Sequence, residues 1–240
     1  MPKPRCDGVG RPIWRRLLDP PHPTWQSRLS LSRAQSFLRQ EQIRTPDGLK
    51  LNVGSASRRF DIRTVNLDLL IGRDVDLQAD LMRLPLRDES VESIICTGVL
   101  EHVPDPGQAV REIFRVLKPG GRAFFELPFM QTRHAAPSDF SRWTPEGVRQ
   151  LLRDFRIEEL HVAVGPASAL SWLFQETMAL LFSFRTPFLY KIGLRFFGTI
   201  AIPISWLDFF LENHPLAYQG ACGYAVAAVK ALGPEAGDRR

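Results

Sequence analysis

The chain predicts an α/β fold built on an open, doubly wound, mostly parallel sheet, and three stretches carry that prediction. In residues 50–70, KLNVGSASRRFDIRTVNLDLL, a short apolar run stops at the small residues Gly54, Ser55, Ala56 and Ser57, and a second run ends in Asp68. In residues 91–121 the strand pattern VESIICT precedes a helical pattern with Ala109, Val110, Ile113, Phe114 and Leu117 at helical spacing, closed by Pro119-Gly120-Gly121. Residues 122–127, RAFFEL, are nearly all apolar, as in a strand buried on both faces. Strand, small-residue turn, strand and carboxylate is the order in which such sheets build a nucleoside pocket. The small residues admit a ligand close to the backbone, and the acid at the second strand tip can accept both hydroxyls of a ribose. Alone, the first stretch also fits an ordinary tight turn, because only Gly54 is glycine and Asp68 arrives sooner than in a dinucleotide fingerprint.

Composition narrows the class. The 240 residues, 44% of them hydrophobic, suit one α/β domain with additions. Cys6, Cys96 and Cys222 are odd in number and far apart, which points to a reducing compartment with neither a disulfide framework nor a zinc site; no metal ligands are read from the spacing. The net charge of +5 is carried largely by arginine and reads as a solvated basic surface or as attraction to an anionic membrane or acidic substrate. Aromatic and basic residues do not interleave in a stacking pattern, so no nucleic-acid partner is expected. The basic start has no apolar core behind it, so no secretory signal is expected.

In chain order, residues 1–29 read as a flexible arm with many prolines. A helix follows over 30–43, capped by Ser32, with Leu31, Ala34, Phe37, Leu38 and Ile43 roughly on one side; it is expected to cover one edge of the pocket. Residues 50–53 form the first strand, 64–68 the second and 75–79 the third, ending at Asp80. Between 54 and 64 there is room only for a turn or a very short helix. The fourth strand spans 91–97, a helix opens at Asp105 or Pro106, and the fifth strand is 122–127. Thr144-Pro145-Glu146 starts a helix running to Phe155. Residues 156–164 form the sixth strand, and 222–230 return as a last strand, antiparallel beside the sixth.

The ordered motifs VGSAS, VNLD, Asp80 with LMRLPL, SIICTGVLEHVPDP and VLKPGG span residues 51–128. Together they resemble the class I S-adenosylmethionine-dependent methyltransferases, especially the type 11 group, over about a third of the chain. The resemblance implies a Rossmann-like sheet with S-adenosylmethionine across the carboxyl ends of its first strands. It places Gly54, Ser55 and Ala56 under the methionine part, Asp68 at the ribose hydroxyls with Leu69 beside it, and Asp80 at the adenine amino group with Leu81 on the ring. Thr97 and Gly98 would face the methionine moiety or sulfonium. Two departures bear on this: Ala56 stands where the family has a second glycine, and the segment that forms the family's first helix is cut to a few residues.

The loop LPFMQTRHAAPSDFSRWTPEG follows the fifth strand, on the side where an acceptor must enter. His134, Asp139, Arg142 and Trp143 lie in it, and His134, His102 and Asp139 are the candidate catalytic residues. Glu101-His102 at the mouth fits catalysis and, equally, a first-turn acid with a packing histidine. Residues 165–219 form an apolar helical insertion, expected either to roof the site as a lid or to contact a membrane peripherally, with Lys191 and Arg195 at head-group level. Pro203 is expected to break its second segment into pieces too short to span a bilayer. Domain limits follow: a core over 30–164, the insertion over 165–219, a last core strand over 220–231 and an exposed tail over 232–240. The expected function is methyl transfer to a small or lipid-linked acceptor by a cytoplasmic or membrane-peripheral protein. The rival is a non-catalytic, degenerate member of the fold acting as a partner subunit.

Overall fold

Seven strands form one sheet in the order β3-β2-β1-β4-β5-β7-β6. The computed structural model describes residues 24–56, 58–134 and 137–231. Strands β1 (Lys50–Val53), β2 (Thr64–Asp68), β3 (Leu77–Gln78), β4 (Val91–Thr97) and β5 (Leu117–Pro128) run parallel. Strand β7 (Gly223–Val229) enters antiparallel between β5 and β6 (Arg156–Val164). The doubly wound, mostly parallel class is therefore as predicted, and the last strand pairs with the fifth as well as the sixth.

Two expected strands change length for identifiable reasons. β3 keeps only two residues, because the Asp76 carboxylate takes the Asn66 N–H at 2.9 Å while Arg59 holds that carboxylate from outside. β5 begins at Leu117, five residues early: Pro119 forbids a helix and drives the residue before it to extended backbone. The chain thus leaves helix α2 (Pro106–Val116) directly into strand, before the glycine pair. Asp105 caps α2 as expected, accepting from Gln108 N at 2.8 Å. Ala109, Val110, Ile113 and Val116 are its buried stripe against the sheet.

Helix α1 spans Thr24–Arg44, starting well before Ser32 because nothing from Thr24 onward breaks it. The predicted arm therefore ends by residue 23, and residues 1–23 and 232–240 lie outside the described part. Ala34, Phe37 and Leu38 pack on Ile95, Phe124, Ala163 and Ala225, so α1 covers a face of the sheet rather than an edge of the cavity. Ile43 is 85% exposed and leaves that stripe; the buried Glu41 is held instead by Arg44 and Arg122.

Helix α3 (Pro145–Leu151) is capped by Thr144 and ends four residues short of Phe155. The insertion is an antiparallel helical pair, α4 (Pro166–Leu181) and α5 (Pro187–Trp206), followed by the short α6 (Asp208–Leu211). Pro203 does not break α5. It lies in the last turn, where the helix loses one backbone bond and nothing beyond needs it. No side chain of its own caps α4; Asp208, 1% exposed, reaches back to accept from Ala167 N and Ser168 N at 2.8 and 3.0 Å. The base of the pair is thereby pinned.

Candidate functional site

The carboxyl ends of β1, β2 and β4 meet at a cavity of about 390 Å³. That volume is in the range of small-ligand sites. Gly54, Ala56, Asp68, Leu69, Asp80, Leu81 and Gly98 line it, as expected, together with His102. Leu70, Ile71, Val99 and Val103 complete its apolar wall, and no sequence signal singled them out. Ser55 and Thr97 are not in the lining. Ser55 is 3% exposed, turned into the protein by the bond from its N–H to the Leu67 carbonyl at 3.1 Å. A larger hollow of about 690 Å³ lies among Arg33, Arg149, His161, His214 and Tyr224, away from the strand-end acids.

The turn after β1 is shaped by left-handed backbone. Gly54 has φ +65°, and a Cβ there would come within 2.2 Å of the Val99 side chain, so glycine is required twice over. Ala56 adopts φ +49°, which costs a non-glycine residue about 1–2 kcal/mol. Its N–H donates to Asp68 Oδ2 at 2.7 Å, and Leu70 N–H donates to Oδ1 at 2.9 Å. The second strand's acid therefore pins the turn as well as facing the cavity.

This donor set fits S-adenosylmethionine. An ionised carboxylate offers about four acceptor sites. Asp68 spends one on each oxygen and keeps one on each for a ribose diol. Asp80 accepts from Met82 N at 2.8 Å through Oδ1, leaving Oδ2 for an amino group, with Leu81 beside it.

Beside this cavity stands a polar cluster that the sequence kept apart. Glu101, in the turn Leu100–His102, is 1% exposed. Its Oε1 lies 3.8 Å from His102 Nε2 and 3.6 Å from His134 Nε2. The two imidazoles meet edge-on at 5.0 Å, and Trp172 of α4 stands edge-on to His134 at 6.3 Å. The Glu101 carboxylate raises His134 above the ordinary imidazole range, against the opposing effect of burial. Asp139 does not face the site as a base. Its side chain is 2% exposed and is gripped by the Arg142 guanidinium and the His134 N–H, and Arg142 holds its carboxyl well below the usual carboxylate range. Arg142 also donates to the Gln131 and Thr132 carbonyls at 3.1 Å each, so Asp139 and Arg142 shape the loop that carries His134. Trp143 is buried in the core.

Residues 47–125 match the family described as "Methyltransferase domain". An uncharacterized protein of transposon TN4556 from Streptomyces fradiae is 36% identical over 84 residues, 35% of this chain and 24% of that protein. A ubiquinone biosynthesis O-methyltransferase of Idiomarina loihiensis is 32% identical over 97 residues, 37% of this chain and 40% of that protein. The chain thus spans less than half the length of these curated relatives. Among solved structures, a putative sarcosine dimethylglycine methyltransferase from Galdieria sulphuraria shares the fold at TM-score 0.51 and 15% identity, over 83% of this chain and 86% of that one. The 1,6-didemethyltoxoflavin N1-methyltransferase of Burkholderia thailandensis, solved with S-adenosylhomocysteine bound, does so at 0.51 and 14%, over 87% and 81%. Residues 47–125 are thus similar to the methyltransferase-domain family, and the sheet they sit on has the fold of these solved methyltransferases.

Proposed function

We propose that this protein transfers a methyl group from S-adenosylmethionine to a small or lipid-linked acceptor. The observation that carries this is the pair of strand-end acids, Asp68 and Asp80, on one cavity with free acceptor positions. S-adenosylmethionine, when bound, supplies a sulfonium-activated methyl group. Asp68 would hold the ribose hydroxyls and Asp80 the adenine amino group. With the donor already activated, alignment is the main task left to the chain. His102 lines the cavity and His134 stands next to it, where a proton leaving the acceptor would be received.

A lipid-linked acceptor is favoured by the burial pattern of the α4–α5 pair, which is reversed relative to a soluble core. Small residues face inward: Ala179 lies against Gly193, and Ser171 Oγ donates to the Ala201 carbonyl at 3.0 Å. Large ones face outward, with Phe184 78%, Phe188 69%, Leu181 65% and Phe196 60% exposed. Close helix approach through small residues, with bulk apolar groups outside, suits a hydrocarbon surround. Residues 187–211 are also long and apolar enough to cross a membrane, with only 22% of the window buried. We read the pair as inserting into the interface of an anionic bilayer, aided by Arg185 and Lys191, with Trp172 bringing it against the His134 cluster.

The rival reading, a non-catalytic partner subunit, draws on the strained Ala56 in the turn. Incubation with methyl-labelled S-adenosylmethionine and the aqueous and solvent-extracted fractions of a cell lysate separates the two. Label entering an extracted compound, and lost with Asp68→Ala, supports transfer. Cofactor binding with no label in either fraction supports the partner reading.

A further inference from the structure

Beside the cavity Glu101, His102 and His134 pose an electrostatic problem. His102 Nδ1 lies 2.6 Å from the Ser138 carbonyl, so it must carry the proton and donate it. His134 Nδ1 lies 3.4 Å from the Thr132 carbonyl, 3.7 Å from Asp139 Oδ2 and 3.5 Å from Arg142 Nη2. In His102 Nε2 is then the lone-pair nitrogen, and the Nε2 atoms of both rings point at one carboxylate oxygen, Glu101 Oε1. A lone pair facing an anion repels it unless something positive lies between them. The other oxygen, Glu101 Oε2, is buried without a hydrogen-bond partner among the described residues. A buried carboxylate left half-satisfied is costly, and the cost falls if a cation takes it.

We propose that Glu101, His102 and His134 form a binding site for one divalent cation of the zinc type. The three ligand atoms lie within 4.8 Å of one another. A tetrahedral ion with bonds of 2.0–2.1 Å sets its ligands about 3.3 Å apart, so the carboxylate–imidazole gaps of 3.6 and 3.8 Å need to close by only a few tenths of an ångström. Two imidazoles and one carboxylate are a ligand set for zinc, cobalt or ferrous iron rather than magnesium or calcium. The outer contacts are those that metal-bound histidines use: each Nδ1 faces a backbone carbonyl, at 2.6 Å in His102 and 3.4 Å in His134, while Nε2 is aimed at Glu101. Three protein ligands leave a fourth position for water or an acceptor oxygen. Binding does not depend on the methyl-transfer reading. If that reading holds, the cation would polarise the acceptor oxygen and lower its pKa, so that its proton would pass to solvent water while the imidazoles hold the metal.

The test uses the tag-free full chain, stripped with chelator and titrated with Co²⁺ and Zn²⁺ by calorimetry and visible absorption. One equivalent of tightly bound Zn²⁺ is expected, with an intense low-symmetry Co²⁺ spectrum that Zn²⁺ displaces. His134→Ala, on a half-exposed side chain, should lose the spectrum and weaken Zn²⁺ affinity at least 100-fold while keeping the wild-type melting temperature of the stripped protein. Glu101→Gln is the second variant and should do the same. Sub-stoichiometric or millimolar binding would overturn the proposal, as would full affinity in both variants. Metal binding without S-adenosylhomocysteine binding would sink the transfer reading and leave the metal site standing.

Discussion

The cofactor cavity and the α4–α5 pair treat their surfaces in opposite ways. At the cavity, polar groups are committed one by one: Ala56, Leu70 and Met82 each give an N–H to a strand-end carboxylate. In the helical pair small residues and the serine contacts line the inner seam, and most phenylalanine and leucine side chains point outward. The first surface is built to recognise one ligand by direction, since hydrogen bonds carry geometry. The second is built for a medium, since apolar burial has none. A variant in one region should therefore leave the other's binding untouched, and the predictions set out to break that independence.

The largest effect is expected from Asp68→Ala. It removes the diol acceptor and frees two turn N–H groups, and hydrogen bonds to a charged group are worth roughly 1.5–3 kcal/mol each. Calorimetry should show S-adenosylhomocysteine affinity falling by a factor of 100 or more, with vesicle binding unchanged. Next comes the double change Phe184→Ser, Phe188→Ser. Full burial of one such ring contributes about 1.5–3 kcal/mol, so flotation with anionic vesicles should drop by a factor of about 10 or more, with cofactor affinity unaltered. Loss of both bindings together would show that the regions form one unit.

Asp208→Ala probes the joint between them. Removing a buried carboxylate that caps α4 should loosen the helical pair by about 2 kcal/mol, read as faster amide exchange over residues 166–181 before any change in β1–β5. The smallest effect is expected from Ala56→Gly. Relief of left-handed strain and the entropy of glycine nearly cancel, so melting temperature should move by little and cofactor affinity should hold or rise modestly. A clear fall in affinity would mean that the turn is shaped around the alanine methyl.

These regions also differ in how far the sequence announced them. Strand ends Val53, Asp68 and Thr97 were legible because hydrophobic runs stop there at glycine or acid, and much of the lining of the strand-end cavity came with them. The Glu101–His102–His134 cluster was not, because its members are joined by a loop whose path depends on the Asp139–Arg142 ion pair, and in the sequence Asp139 reads as a candidate catalytic residue instead. Ser55 was misplaced for a local reason: its backbone bond to Leu67 turns it away from the cavity. The continuity of α5 through Pro203 escaped the sequence because the cost of a helix proline depends on how many bonds follow it, and here the helix was about to end.

The central claim is that residues at the strand ends hold S-adenosylmethionine. Titration calorimetry of the full chain with S-adenosylhomocysteine tests it most directly. One site per chain with micromolar or tighter affinity, weakened at least 100-fold by Asp68→Ala, is the result predicted. Absence of heat, together with no change in melting temperature at millimolar ligand, would contradict it.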